Sequence, residues 1–152
     1  MIRYALAVVL ATATLGVGIV AVEEAAKIRG ESQIEAQLAT VEAASLSMIE
    51  HDTPVREEQG PPQRVVEIEL PEASLTSEPV DRLALEPEPE LELTVARYRF
   101  EGRPERTVVL DGALVNATGD RDVIVLDGAA GSYTLELTYV RTDETAIRVR
   151  IR

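Results

Sequence analysis

The chain has no cysteine, one histidine and one lysine. Without cysteine there is no disulfide framework and no thiolate metal site. His51 alone cannot build a histidine metal centre, and it is the only histidine available as a general base. Basic charge is scarce: 15 Lys and Arg face 27 Asp and Glu, a formal net charge of −12. That balance excludes a broad basic surface for nucleic acid or anionic lipid. Phosphate-loop chemistry is missing too, because Gly128-Ala129-Ala130-Gly131 has no following lysine. No serine occupies a nucleophile elbow. Carboxylate pairs say nothing about catalysis in so acidic a chain. The expectation is a non-enzymatic protein with no cofactor and no metal. Carboxylates stay hydrated when salt is concentrated and screening is short-ranged, so an acidic, lysine-poor composition reads as halophilic.

One long apolar run is present. Residues 4–22 (YALAVVLATATLGVGIVAV) carry no charge and no proline. At about 1.5 Å per residue this run spans roughly 28 Å, near the hydrocarbon thickness of a bilayer. Residues 1–22 therefore read as a transmembrane anchor. Arg3 precedes the span and Glu23-Glu24 follow it, which places the N-terminus in the cytoplasm and the rest outside. Two other fates compete: a secretory peptide cut after Ala21, and a pilin-type leader with a short basic part. The missing polar segment before Glu23 favours the retained helix.

Residues 23–51 read as an amphipathic helical stalk. Ile34, Leu38, Val41, Ser45 and Met48 follow a 4, 3, 4, 3 spacing, so they share one stripe. The stripe must bury itself against the chain's own β-domain or a neighbouring helix. Gly30 is expected to bend or loosen the helix. His51 at the C-terminal end favours the negative pole of the helix dipole. Pro54 stops the helix, and residues 52–64 read as a Pro/Gly-rich exposed linker.

From Val65 to Arg152 the period changes to two. Val66, Ile68 and Leu70 predict a strand ended by Pro71. A shorter strand is expected around 82–85, then an extended acidic segment, Glu86-Pro87-Glu88-Pro89-Glu90, with no packed interior. A strand from Leu91 needs a bulge near Ala96-Arg97 to bring Leu91, Leu93, Val95, Tyr98 and Phe100 to one face. Asp111-Gly112 predicts a type I′ hairpin between 106–110 and 113–117. Val123–Leu126 reads as a central strand. Tyr133 to Tyr139 alternates cleanly, and Ile147, Val149 and Ile151 form a last strand. Arg148, Arg150 and Arg152 share its other face, where they pair with Glu136 or meet an acidic partner. The fold class is α+β: a long N-terminal helix, then an antiparallel sheet or sandwich of six to eight strands. Asn116-Ala117-Thr118 makes Asn116 a glycosylation candidate.

The apolar segment MIRYALAVVLATATLGVGIVAVEEA, the alanine-rich helix and its end at His51-Asp52-Thr53-Pro54, and the acid- and Arg-rich strands together resemble haloarchaeal pilin-like proteins. The resemblance implies a structural or accessory subunit of a type IV pilus-like or secretion apparatus, with other pilin-like subunits or platform proteins as partners. Tyr4 after Arg3, and the lack of an acidic residue within the run, point to an accessory subunit. The alternative is a single-pass anchored β-domain that binds a ligand or partner outside the cell without polymerising.

Overall fold

The computed structural model describes the backbone of residues 2–74, 77–117, 123–128, 130–141 and 145–152, and their side chains from Glu24 onward except Asp127. It is an α+β molecule. One unbroken helix, α1 (Ile2–His51), precedes eight strands: β1 (Gln63–Leu70), β2 (Val80–Glu88), β3 (Leu93–Phe100), β4 (Arg106–Asp111), β5 (Leu114–Asn116), β6 (Ile124–Asp127), β7 (Gly131–Arg141) and β8 (Thr145–Ile151). They form two four-stranded sheets, ordered β1-β7-β8-β5 and β4-β3-β2-β6. All pairs are antiparallel except β5 with β8, which is parallel. The inward faces of both sheets meet in a single apolar core.

The helix belongs to that core. Ile34, Leu38, Val41 and Met48 are at most 3% exposed and cluster with residues of both sheets. Of the two sequence readings for the stripe, the structure takes the chain's own β-domain. Burying four such side chains is worth roughly 1.5–3 kcal/mol each. Their sum rivals the ~5–15 kcal/mol net stability of a whole domain, so residues 34–48 cannot detach cheaply.

The two edges the helix touches explain its position. β1 ends one sheet and β4 ends the other, and α1 contacts both. On one flank, Gln33 Nε2 donates to Glu69 O of β1 at 3.3 Å, and Arg64 of β1 reaches Asp52 at 3.3 Å. On the other, Glu31 pairs with Arg106 of β4 at 3.1 Å, and Asp111 N–H donates to Glu42 Oε1 at 2.7 Å. The helix is a wedge closing one open side of the sandwich. On the opposite side β5 approaches β2.

Gly30 neither bends nor loosens the helix. A Cβ there would lie 3.0 Å from Phe100 Cε1, so the glycine lets the helix backbone meet the Phe100 ring. Ala26 and Gly30 are both buried and extend the stripe one turn at a time toward the N-terminus.

Four strand expectations change. Asp111-Gly112 does not close a hairpin. Gly112 does take a positive φ of 95°, but β4 pairs with β3 whereas β5 pairs with β8, so the turn carries the chain from one sheet to the other. β3 has no bulge. Thr94, Ala96, Tyr98 and Phe100 face inward, Leu93 and Val95 face outward, and Leu91 is 68% exposed. Thr94 is tolerated inside because its hydroxyl donates to Gly112 O at 2.8 Å and accepts from Leu114 N–H at 2.9 Å. That hydroxyl also pins the sheet switch. Third, β6 is an edge strand, pairing only with β2. Finally, the acidic Pro stretch is structured. β2 runs to Glu88 with Pro87 buried, and only residues 89–91 leave the strand, as one 3-10 turn. Proline fits there because β6 reaches β2 only as far as Leu85, leaving no ladder partner on that side.

Candidate binding cleft

The outward faces of the two sheets treat arginine differently. On the β4-β3-β2-β6 sheet, Arg97 lies within 3.1 Å of Glu86 and 3.8 Å of Glu105, and Arg99 bonds Asp81. Register sets part of this pattern, since Arg97 is opposite Ala84, two residues from Glu86 on the same face of β2.

The other sheet carries β8, whose Arg148 and Arg150 face outward opposite Thr138 and Glu136 of β7. Over β7 lies the segment after the helix. Val55 bridges Val140 in parallel, and Tyr139 N–H donates to Pro62 O at 3.0 Å. The short turn Glu57–Gln59 and Gly60-Pro61 thus form one wall of a cleft of about 270 Å³, with Thr138, Arg148 and Arg150 among the residues opposite. Arg148, with 19% of its side chain exposed, bonds Glu57 at 2.7 Å. Arg152 reaches Glu136 at 2.7 Å, the cross-strand pairing expected from sequence.

Among the described residues Arg29, Arg56, Arg141 and Arg150 make no ion pair. Arg29 is on the helix. Of the other three, only Arg150 lines the cleft; Arg56 precedes Glu57 in the chain, and Arg141 ends β7, its N–H donating to Val55 O at 3.1 Å. The charged residues of the lining are Glu57, Glu136, Arg148 and Arg150, and of these only Arg150 makes no ion pair. The arrangement can hold carboxylates by charge-assisted hydrogen bonds, as Glu57 on Arg148 already illustrates.

The remaining sequence candidates fall elsewhere. Ile34, Leu38, Val41 and Met48 share one buried face of α1, as the spacing predicted, and none lines the cleft. Asn116 ends β5 half-buried, opposite inward-facing Val149, with Ala117 on the cleft wall. Thr118 of its sequon lies outside the described residues. His51 ends α1, exposed, with Nδ1 3.1 Å from Ser47 O. No described group of His, Cys, Asp or Glu could hold a metal ion. Among the described residues no helix is long and apolar enough to cross a membrane, and the run 4–22 on which the anchor expectation rests has no described side chains.

Sequence reasoning found the arginine face of β8 but missed the cleft wall. Nothing in residues 55–62 signals that they fold back over β7. No curated protein and no solved structure matches the chain. A family model does match, described as a domain of unknown function (DUF7311), over residues 1–152, and the chain belongs to that family.

Proposed function

We propose that this chain is a non-enzymatic, membrane-anchored structural or accessory subunit, pilin-like in build, that holds a β-sandwich outside the cell on a rigid helical post. The observation that carries the reading is the continuity of α1 from Ile2 to His51. Its last part is wedged into the sandwich, and its first part is the uncharged run 4–22. An anchor continuous with a wedge fixes the sandwich relative to the membrane, because no hinge lies between them. A single-span anchor with Arg3 before it and Glu23-Glu24 after it would leave the C-terminus outside. Partners are other copies or subunits of a pilus-like or secretion apparatus, met through side-chain surfaces.

The burial of Ile34, Leu38, Val41 and Met48 within the monomer favours a second reading. In it the anchored domain binds a partner outside the cell without forming a filament. Both readings leave the outer faces of the sandwich, and not the helix stripe, as the surface that acts.

Protease added to intact cells tests the anchor and its orientation. Loss of the C-terminal domain is expected, with peptides around Arg3 retained in the membrane fraction. A protected C-terminus, or a soluble chain beginning at Val22, overturns the proposal.

A further inference from the structure

The sandwich takes hold of α1 almost as soon as the uncharged run ends. Ala26 is already only 7% exposed, and a Cβ on Gly30 would lie 3.0 Å from Phe100 Cε1 and 3.8 Å from Glu78 O. Arg103, in the turn between β3 and β4, donates to the Glu78 carboxylate. That bond raises the Arg103 pKa, and the charges of Glu24 and Glu31 on α1 push the same way. Glu31 also pairs with Arg106 at 3.1 Å, and Gln33 reaches Glu69 O near the end of β1. One end of the sandwich, made by the end of β1, the approach to β2 and the β3–β4 turn, therefore stands level with residues 24–33.

Distance along the helix sets what lies below that end. The uncharged run ends at Val22, and only residues 23–25 separate it from buried Ala26, an axial rise of about 6 Å. The headgroup layer on each side of a ~30 Å hydrocarbon core is itself roughly 5–8 Å deep. No free post is left between bilayer and sandwich. The helix also lies at one side of the sandwich, against the edge strands β1 and β4. The sandwich accordingly overhangs the surface beside its anchor.

We propose that this end of the sandwich is a foot seated on the lipid headgroups beside the anchor, with the β3–β4 turn in the headgroup layer. The inference rests on the anchored reading and deepens it, naming lipid headgroups as the partner of a defined surface. The chemistry of the foot suits that layer and not the hydrocarbon below it. Its exposed residues, among them Glu72, Ala73, Ser74, Glu101 and Gly102, are small or polar. Part of its charge is spent locally, with Lys27 3.5 Å from Glu24, Arg103 bonded to Glu78 and Arg106 paired with Glu31. Arg29 is exposed at the same height and makes no ion pair among the described residues. Cα–Cβ bonds lean toward a helix N-terminus, which carries the Arg29 guanidinium back toward the headgroup phosphates. A single span tilts over a range of about 0–40°. A foot on one side of the helix blocks tilting toward that side, so the seat fixes how the sandwich stands.

The absence of native cysteine gives a direct test, because one introduced thiol carries one label. Full-length chains bearing Glu101→Cys at the foot, or Glu90→Cys at the opposite end, are labelled with a small fluorophore. They are reconstituted into phosphatidylcholine vesicles containing a lipid with a nitroxide on its headgroup. The two positions differ in height. Glu92 O accepts from Gly112 N–H, and a Cβ on Gly112 would lie 3.4 Å from Ser45 Oγ, so the Glu90 turn stands about 28 Å along the helix from Ala26. Quenching is expected to be several-fold stronger at position 101 than at position 90. Inserting two helical turns of alanine after Glu24 lifts the foot about 11 Å, and quenching at position 101 is then expected to fall to the level of position 90. Equal quenching at the two positions, in chains that resist alkaline washing, overturns the seat and leaves the anchor standing. Undiminished quenching at position 101 after the insertion also overturns the seat, because the helix then does not set the height. A chain that alkaline washing strips from the vesicles overturns the anchored reading, and the seat with it.

Discussion

The two sheets of this sandwich solve the same problem differently. The β4-β3-β2-β6 sheet spends its arginines on neighbours. Arg97 and Arg99 meet Glu86 and Asp81 of the adjacent strand and Glu105 just before β4, so both signs are neutralised locally. On the β1-β7-β8-β5 sheet, Arg148 and Arg150 of β8 and Arg152 just after it share one glutamate of β7, and the excess is partly met by Glu57 from outside the sheet. Arg150 is left over. Charge that register neutralises stiffens a face, and charge that register strands is available to a partner.

The strongest way to probe the comparison is to remove what the sheets share. Leu38, 3% exposed, packs among residues of both. Leu38→Ala should cost about 2–5 kcal/mol. Denaturant unfolding followed by far-UV circular dichroism and by tyrosine fluorescence should shift together. Separate transitions would mean that the sheets are independent units and that the wedge is no shared core. Introducing glutamate at Leu38 or Val41 likewise reports on folding and not on assembly.

A smaller effect is expected at the join between the sheets. Thr94→Val keeps the shape but removes the acceptor for Leu114 N–H and the donor to Gly112 O. Each orphaned buried group costs about 1–3 kcal/mol. Hydrogen exchange should quicken at Leu114 and along β5, with β2 and β3 protected. Uniform loss of protection would contradict a local role at the sheet switch.

A third test is confined to alkaline pH. Burial first, then Glu35 and Glu31, raise the Tyr98 hydroxyl above its ordinary 10.0. Below pH 10 the phenol is protonated folded or unfolded, so its contribution is fully present there. As pH rises past 10 the unfolded chain releases the proton first, and stability falls until the folded group titrates. Thermal melts should decline above pH 10, less so in Tyr98→Phe. Equal declines would remove Tyr98 as the cause.

The mildest contrast compares the two faces themselves. Arg97→Ala should cost no more than about 1 kcal/mol, because the pairs are half exposed. Arg150→Ala should leave the melting temperature unchanged. A measurable stability loss at Arg150 would show that it has a structural partner and weaken the case for the cleft.

How much was legible beforehand depends on the range of the interaction. The helix stripe was readable because Ile34, Leu38, Val41 and Met48 are large and repeat at the helical period; Ala26 and Gly30 were not, because small residues carry no hydrophobic signal. Strand existence was readable from alternation, as in Val66, Ile68 and Leu70. The face that Leu93 and Val95 take was not, because inward Thr94 depends on hydroxyl bonds to residues about 20 positions away.

By itself, the sequence determined the element types, the helical stripe, the acidic surface and the arginine face of β8, because each follows from local periodicity or composition. Tertiary structure alone decided that Asp111-Gly112 joins two sheets, that the helix closes the side between β1 and β4, and that residues 55–62 fold over β7 to make the cleft. The physical reason is that a turn sequence specifies backbone angles, not partners. Which strand claims the flanking segments is settled by core burial and hydrogen-bond satisfaction over the whole chain.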